Sequence, residues 1–532
     1  MGSYLNPNNQ NFSDFVATGR YVDKTMLADI TNSYLGDPTF KFICISRPRR
    51  FGKSIAENML TAYYSKGADS KKLFSKLKLS NTENFKKYLN KFNVVHIELN
   101  SVYTKWQGLP ENERDKSVIY FLQKIVCDEF NSGFPDVDFG KYTSLSEYIL
   151  KVYSQKKETF IIIIDEYDVL VRERVSEEEL VIYRAFLNSL FKSNELNPAI
   201  SLAYLTGILP IMKDKIQSKL NTFNPYTMLY AGNFAEFVGF TDEEVKNLCE
   251  KNNCSYELCK SWYDGYKLED FEVYNPESVI KTVTTHRFKS YWSGTSTYLV
   301  VAEKIKMNFS GIKEDVIAIL GGEKISADVE KYDNTMTGFR SKDDVYSFLI
   351  HLGYLAYDEK EESCYIPNRE IHLEWQKVVA DNSDYAETDK IIKDSKELLA
   401  QTLAGNEKAV SEALDRSHIH VTSNRSYNNE FCLQSAIYLA YIYALNDYTI
   451  IKEMTTGKGF ADIAYIPFDS SKSAIIIELK HNKSAATALN QIKEKQYFQS
   501  LKNWHGDILF VGINYDETTK IHDCKIGRFV KE

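Results

Sequence analysis

The stretch FIIIID, Phe160 to Asp165, restricts the fold more than any other part of the chain. Four consecutive isoleucines leave no polar face, so the strand they form must be buried on both sides. Strands of that kind belong to parallel sheets covered by helices. Three further apolar runs extend the pattern: KFICIS (Lys41 to Ser46), NVVHIEL (Asn93 to Leu99) and SLAYLTG (Ser201 to Gly207). Helical stretches separate them, as in SIAENMLTAYYSK, where Ile55, Met59 and Tyr63 share one face. Residues 1–240 are therefore expected to form an α/β domain around a parallel sheet.

The ends of these strands carry residues suited to phosphate chemistry. SRPRRFGKS, Ser46 to Ser54, completes the second half of GxxxxGK[ST] with Gly52, Lys53 and Ser54, but Arg47 stands where the first glycine belongs. The strand–loop–helix context is the one a phosphate loop requires. Backbone N–H groups and the helix N-terminus hold phosphates, Lys53 reaches the β and γ oxygens, and the Ser54 hydroxyl ligates Mg²⁺. A GKS in an ordinary basic turn is the alternative. Against it stands the acidic pair closing FIIIIDE: Asp165 for the Mg²⁺ shell and Glu166 to orient or deprotonate an attacking water. Thr206, at the tip of another strand, is a candidate sensor of the γ-phosphate.

Length and charge bound the rest. At 532 residues the chain exceeds one ordinary core, and roughly two to four domains are expected. A net charge of −8 excludes a surface coated in basic residues, while leaving room for a local basic groove. The eight cysteines include no CxxC pair, which favours buried thiols over a zinc site. MGSYLNPNNQ does not read as a secretion signal, and FCLQSAIYLAYIYAL is too short and interrupted to span a bilayer. A cytoplasmic protein without membrane partners is expected.

Beyond GFTDEEV the pattern is mainly helical over residues 241–400, with Asn275 expected to cap a helix that begins at Pro276. Residues 401–532 read as a separate α/β unit. It comprises a helix around Asn429 to Asn446, strands in TIIKEM, FADIAYIPF and SAIIIELK, the helix ALNQIKEKQYFQSLK and a last strand, DILFVGINY. Alternation puts Glu478 and Lys480 on one face of their strand, and a hairpin brings Asp462 alongside. Two carboxylates and a lysine at a strand end can bind a hard divalent cation and activate water for phosphodiester cleavage. Gln491, on the next helix, is placed to reach the same point. An edge strand with alternating charges and no chemistry is the plainer alternative.

YVDKTML, SRPRRFGKS, FIIIIDEYD, TGILPI, GFTDEEV, WYDGY and VYNPESV, in this order, resemble the bacterial predicted AAA-ATPase-like family, whose loop is written RPRRFGK[ST]. TTGKGFADIAY, AIIIELKHNKSAATALNQIKEKQYF and FVGINYD resemble the PD-(D/E)XK nuclease domain often fused behind that ATPase. The resemblance covers nearly the whole chain. It implies a P-loop domain, a mainly helical middle region and a restriction-endonuclease-like C-terminal domain. It assigns phosphate binding to Gly52, Lys53 and Ser54, and Mg²⁺ and water handling to Asp165 and Glu166. It makes Arg47, Arg49 and Arg50 functional side chains that reach for phosphate or an acidic neighbour. Asp462, Glu478 and Lys480 take the D…ExK roles with Mg²⁺ or Mn²⁺, Gln491 is their helix-borne partner, and Glu430 is a candidate additional acid. Phe460 stands where the family often has arginine, and Arg184 is a candidate arginine finger. The implied cofactors are ATP and Mg²⁺, and the implied partners are nucleic acid, DNA favoured, and further copies of the chain. A nucleotide-switched module that grips nucleic acid or protein without cutting it stays open beside this reading.

Overall fold

The computed structural model describes residues 2–210, 222–292, 297–307, 309–329, 338–380, 385–421, 430–456, 459–468, 471–495 and 506–529. The chain divides into two compact units. The first is Met1–Tyr256 with Asp264–Arg287 and Ala327–Glu359, and the second is Glu257–Tyr263 with Phe288–Ser326 and Lys360–Glu532.

The first unit is built on five parallel strands: β1 (Phe42–Ser46), β2 (Asn93–Glu98), β3 (Phe160–Asp165), β4 (Ile200–Gly207) and β5 (Asn224–Tyr226). Their order across the sheet is β2-β3-β4-β1-β5. All six residues of β3 are buried, as its isoleucines demand. Ile162 and Ile164 pack in one core with Leu122, Phe130 and Leu187 from the covering helices. The chain leaves β1 toward β2 at one edge and leaves β4 toward β5 at the other. Adjacent β1 and β4 therefore send their connections in opposite directions across the sheet, and an open α/β sheet offers a binding site at the C-terminal ends of such a pair. The register sets those ends level: Ser46 lies beside Gly207, and Glu98 beside Asp165. Helix α1 (Lys53–Tyr64) leads out of the loop after β1.

Between residues 241 and 400 the described residues are mainly helical, interrupted by short strands such as Tyr266–Leu268 and Phe271–Tyr274. Asn275 caps the helix Pro276–Thr285 as expected, its side chain accepting from the amides of Glu277 (2.9 Å) and Ser278 (3.3 Å). Cys249 and Cys259 are buried, and the described cysteines form no disulfide. Among the described residues no helix is long and apolar enough to cross a membrane.

The C-terminal sheet runs β6 (Tyr448–Thr456), β7 (Gly459–Pro467), β8 (Ala474–His481), β9 (Ile508–Asp516) and β10 (Ile521–Phe529), in that order. Its pairings are antiparallel except for β8 with β9. The helices α2 (Ala386–Leu403), α3 (Glu407–Val421) and α4 (Glu430–Ala440) cover one face, where Leu398, Val410 and Leu433 meet Ile475, Ile477 and Leu479. The other face carries α5 (Ala485–Glu494), with Ile492 against Ala474, Ile476 and Phe510. Strand β10 is an element that the sequence reading did not expect. IHDCKIGRF has too many polar residues to read as a buried strand, yet it pairs with β9 along its whole length as the sheet edge, burying His522 and Cys524 between exposed neighbours. The expected helix around Asn429 to Asn446 ends as an α-helix at Ala440 and continues as a 3₁₀ turn over Ile442–Asn446.

Candidate active sites

The loop Ser46–Ser54 closes onto α1 through two left-handed residues, Gly52 (φ 89°) and Arg50 (φ 72°). Glycine adopts that geometry without penalty, whereas an arginine there costs on the order of 1–3 kcal/mol, held by the surrounding contacts. Lys53 is buried, and its Nζ donates to the carbonyls of Arg47 (2.9 Å) and Pro48 (2.8 Å). Burial lowers its pKa, and Asp165, Asp168 and Glu166 oppose that shift.

Asp165 is the hub of the cluster. Its Oδ2 accepts from Ser54 Oγ at 2.5 Å, and its Oδ1 accepts from Thr206 Oγ1 at 2.7 Å and from the Glu166 amide at 2.8 Å. Three residues distant in sequence thus meet at the C-terminal end of the sheet. Glu166 sits in the left-handed region (φ 52°), and its carboxylate accepts from Arg172 Nη2 at 2.6 Å. Arg172 Nε also lies 3.1 Å from Asp168 Oδ2. Burial disfavours the Arg172 charge, but Asp168 and Glu166 outweigh it and leave the pKa raised. Asp168 Oδ2 also accepts from the amides of Ile208 (3.1 Å) and Leu209 (2.9 Å), which ties the DEYD turn to the segment after β4. Gly207 permits this approach, since a Cβ there would fall 2.6 Å from the Tyr167 ring.

The three loop arginines diverge. Arg47, expected to reach for phosphate, is instead fully buried. Its Nη1 donates to the carbonyls of Ser46 (2.9 Å), Tyr226 (3.2 Å) and Thr227 (2.8 Å). This corrects the sequence reading: the side chain braces the loop against the end of β5, where backbone carbonyls supply the acceptors that water would otherwise provide. Burial pulls its pKa down to about 10. Arg49 is also lowered, first by burial and then by the neighbouring Arg172 charge, with Glu166 and Asp168 opposing. Arg50 Nε lies 3.2 Å from Glu277 Oε2, at the start of the Asn275-capped helix. Arg184 bonds within its own helix, to the Leu180 carbonyl at 3.0 Å and to Glu177 at 3.3 Å.

Sequence reasoning missed Glu57 and His96. Glu57 is fully buried beside Asp165 and Thr206, and His96 Nε2 lies 3.8 Å from its Oε2. Burial, followed by the charge of Asp165, raises the Glu57 pKa well above the usual carboxylate range. Burial also pushes His96 down to about 4. The available signals were the spacing of Glu57, four residues after Lys53 and so on the same helical face, and a histidine within an otherwise apolar strand.

In the C-terminal domain, alternation along β8 turns Ile475, Ile477 and Leu479 toward α2–α4, which leaves Glu478 and Lys480 on the face covered by α5. Lys480 Nζ donates to Glu478 Oε1 at 2.9 Å, and Gln491 Nε2 donates to the same oxygen. Glu478 is 2% exposed, and its Oε2 is buried without a hydrogen-bond partner. Burial, reinforced by the Asp462 charge, pushes its pKa up to about 7. The β7–β8 ladder pairs Ile463 with Ile477, and one step further Asp462 Oδ2 accepts the Leu479 amide at 2.6 Å. The Asp462 carbonyl accepts from Gln434 Nε2 of α4 at 2.8 Å. All four expected residues are thus brought to one strand end. Gly512 makes this arrangement possible: a Cβ there would fall 2.3 Å from the Ala485 carbonyl, so only glycine lets α5 approach close enough to present Gln491. The side chains of Glu430 and Phe460 lie outside the described residues.

Residues 9–217 match the family model described as Predicted AAA-ATPase, and residues 428–524 match that of the PD-(D/E)XK nuclease superfamily. A protein of Azotobacter chroococcum mcd 1, known as the uncharacterized protein in the vnfD 5' region, is 23% identical over 304 residues. That match spans 56% of this chain and 55% of the relative, so the chain covers about half the length of that curated protein. Among solved structures, the Aeropyrum pernix ORC2 protein in ADPNP–ADP complexes aligns with a TM-score of 0.29 at 12% identity, covering 67% of this chain and 93% of that one. From the two family matches, the chain carries a domain of the predicted AAA-ATPase family in its first half and, behind it, a domain of the PD-(D/E)XK nuclease superfamily.

Proposed function

We propose that the chain is an ATP-binding and ATP-hydrolysing protein coupled to a divalent-metal-dependent nuclease acting on nucleic acid, with DNA the favoured substrate. The observation that carries the reading is the meeting of Asp462, Glu478, Lys480 and Gln491 at the end of β8, with one buried Glu478 oxygen left over. A buried, unpartnered carboxylate oxygen is costly, and a hard cation is the ligand whose chemistry suits it.

In the ATPase domain, Lys53 and the amides around Gly52 neutralise and orient the phosphates, and Ser54 and Asp165 supply oxygen donors suited to Mg²⁺. Thr206 holds Asp165 in place, and Glu166 positions or deprotonates the water. In the nuclease domain, Mg²⁺ or Mn²⁺ supplies Lewis-acid polarisation of the scissile phosphate and a more acidic water. Asp462 and Glu478 hold that ion, Gln491 fixes the Glu478 carboxylate, and Lys480 offsets charge developing at the phosphate. The test is cleavage of DNA and RNA by the purified chain with Mg²⁺, Mn²⁺ or EDTA. Cleavage lost in EDTA and in Lys480→Ala is expected; cleavage indifferent to both would overturn the nuclease assignment.

A second reading, a nucleotide-switched binding module with slow or no hydrolysis, draws support from one contact. Arg172 occupies Glu166, the residue that would handle water. Single-turnover ATP hydrolysis beside the cleavage assay separates the two.

A further inference from the structure

The second unit contains a cavity of about 360 Å³ that neither site uses. Its wall includes the aromatic rings of Tyr365, Tyr438, Tyr448 and Phe468, together with Ile319 and Ile450. Arg369, the first residue of the twelve-residue helix Arg369–Ala380, also lines it. Its guanidinium is stacked between Trp262 (3.9 Å to the ring centroid) and Phe468 (4.3 Å). The residue is only 6% exposed, yet its Nε and Nη1 have no hydrogen-bond partner. Burial pulls its pKa down to about 9, with Asp447 opposing.

Stacking holds the guanidinium in place but gives Nε and Nη1 no acceptor, and buried N–H donors of a charged group are costly to leave unsatisfied. The Tyr448 hydroxyl, another lining group, is also buried without a partner. No lining group accepts a hydrogen bond from Arg369 Nε or Nη1. Lys324 is paired with Glu361 at 2.7 Å, and His372, held neutral by burial at a pKa of about 4, contacts the Leu320 carbonyl at 3.0 Å. Glu323 is the one carboxylate among the lining residues. The positive end of the helix adds to the attraction for an anion at Arg369.

We propose that this cavity is a binding site for a flat organic anion, an aromatic ring bearing a phosphate or a carboxylate. Arg369 takes the anionic group, Tyr448 contributes a hydroxyl, and the tyrosine and phenylalanine walls hold the ring. The site is separate from both candidate active sites and rests on neither.

The test is isothermal titration calorimetry on the full chain carrying Lys53→Ala, which silences the phosphate loop. Phenyl phosphate is the phosphate-bearing probe and benzoate the carboxylate-bearing probe. The expected result is saturable binding of one of them with a Kd of about 1 mM or tighter, weakened roughly tenfold or more by Arg369→Gln. Tyr448→Phe keeps the ring and removes only an unpartnered hydroxyl, so it should fold as the parent does while binding more weakly. It decides the matter if Arg369→Gln does not fold. No binding of either probe, or binding that the folded variants leave unchanged, overturns the proposal; the probe that binds identifies the anionic group.

Discussion

Ser54, Asp165 and Thr206 come from three separate segments, yet their side chains form one hydrogen-bonded group. Lys53→Ala is expected to lower ATP hydrolysis roughly 100-fold or more, as loss of a group stabilising transition-state charge does, read by phosphate release. Arg172 makes a different kind of contribution. It is the cation beside buried Asp168, and Arg172→Met would leave that carboxylate with only its two amide donors. A loss of about 3 kcal/mol in unfolding free energy is expected, measured by urea denaturation of the full chain. A loss within experimental error would mean that the two amides suffice. Arg47 shows the limit of reading at this scale. Its position in the motif is plain, but whether its side chain faces phosphate or the protein interior depends on carbonyls of Tyr226 and Thr227, far along the chain.

At the scale of elements, β3 was legible because four isoleucines admit a single environment, and the structure reproduces its expected bounds, Phe160–Asp165. The D…ExK strand was legible for a related reason: a period of two puts Glu478 and Lys480 on one face whatever surrounds them. What α5 does there was harder to foresee, because its approach depends on Gly512 of a strand that follows it in sequence. Gly512→Ala forces a Cβ to within 2.3 Å of the Ala485 carbonyl. It should displace α5, separate Gln491 from Glu478 and reduce nuclease activity at least tenfold, with ATP hydrolysis unchanged. Activity equal to the parent would show that the helix can shift without consequence. Edge strand β10 escaped detection because a strand buried on one face, with few neighbours, needs little apolar sequence.

For the whole molecule, the two candidate sites make separable predictions. Lys480→Ala should abolish metal-dependent cleavage and leave ATP turnover intact. Lys53→Ala should abolish turnover, and if the domains are coupled it should also remove any effect of ATP on cleavage. Cleavage rates identical with and without ATP in the parent chain would argue for two independent activities. The sequence by itself determined the local assignments: which runs are strands, which loop carries GKS, where the acidic pair and the D…ExK residues fall. Short-range physics governs all of these, through side-chain period, burial of apolar runs and the backbone freedom of glycine. Only the tertiary structure decided the strand order β2-β3-β4-β1-β5, the inward turn of Arg47, the Glu57–His96 contact and the stacking of Arg369 on two rings. Each of these depends on contacts between residues distant in sequence, and their burial, partners and charge exist only once the chain has packed.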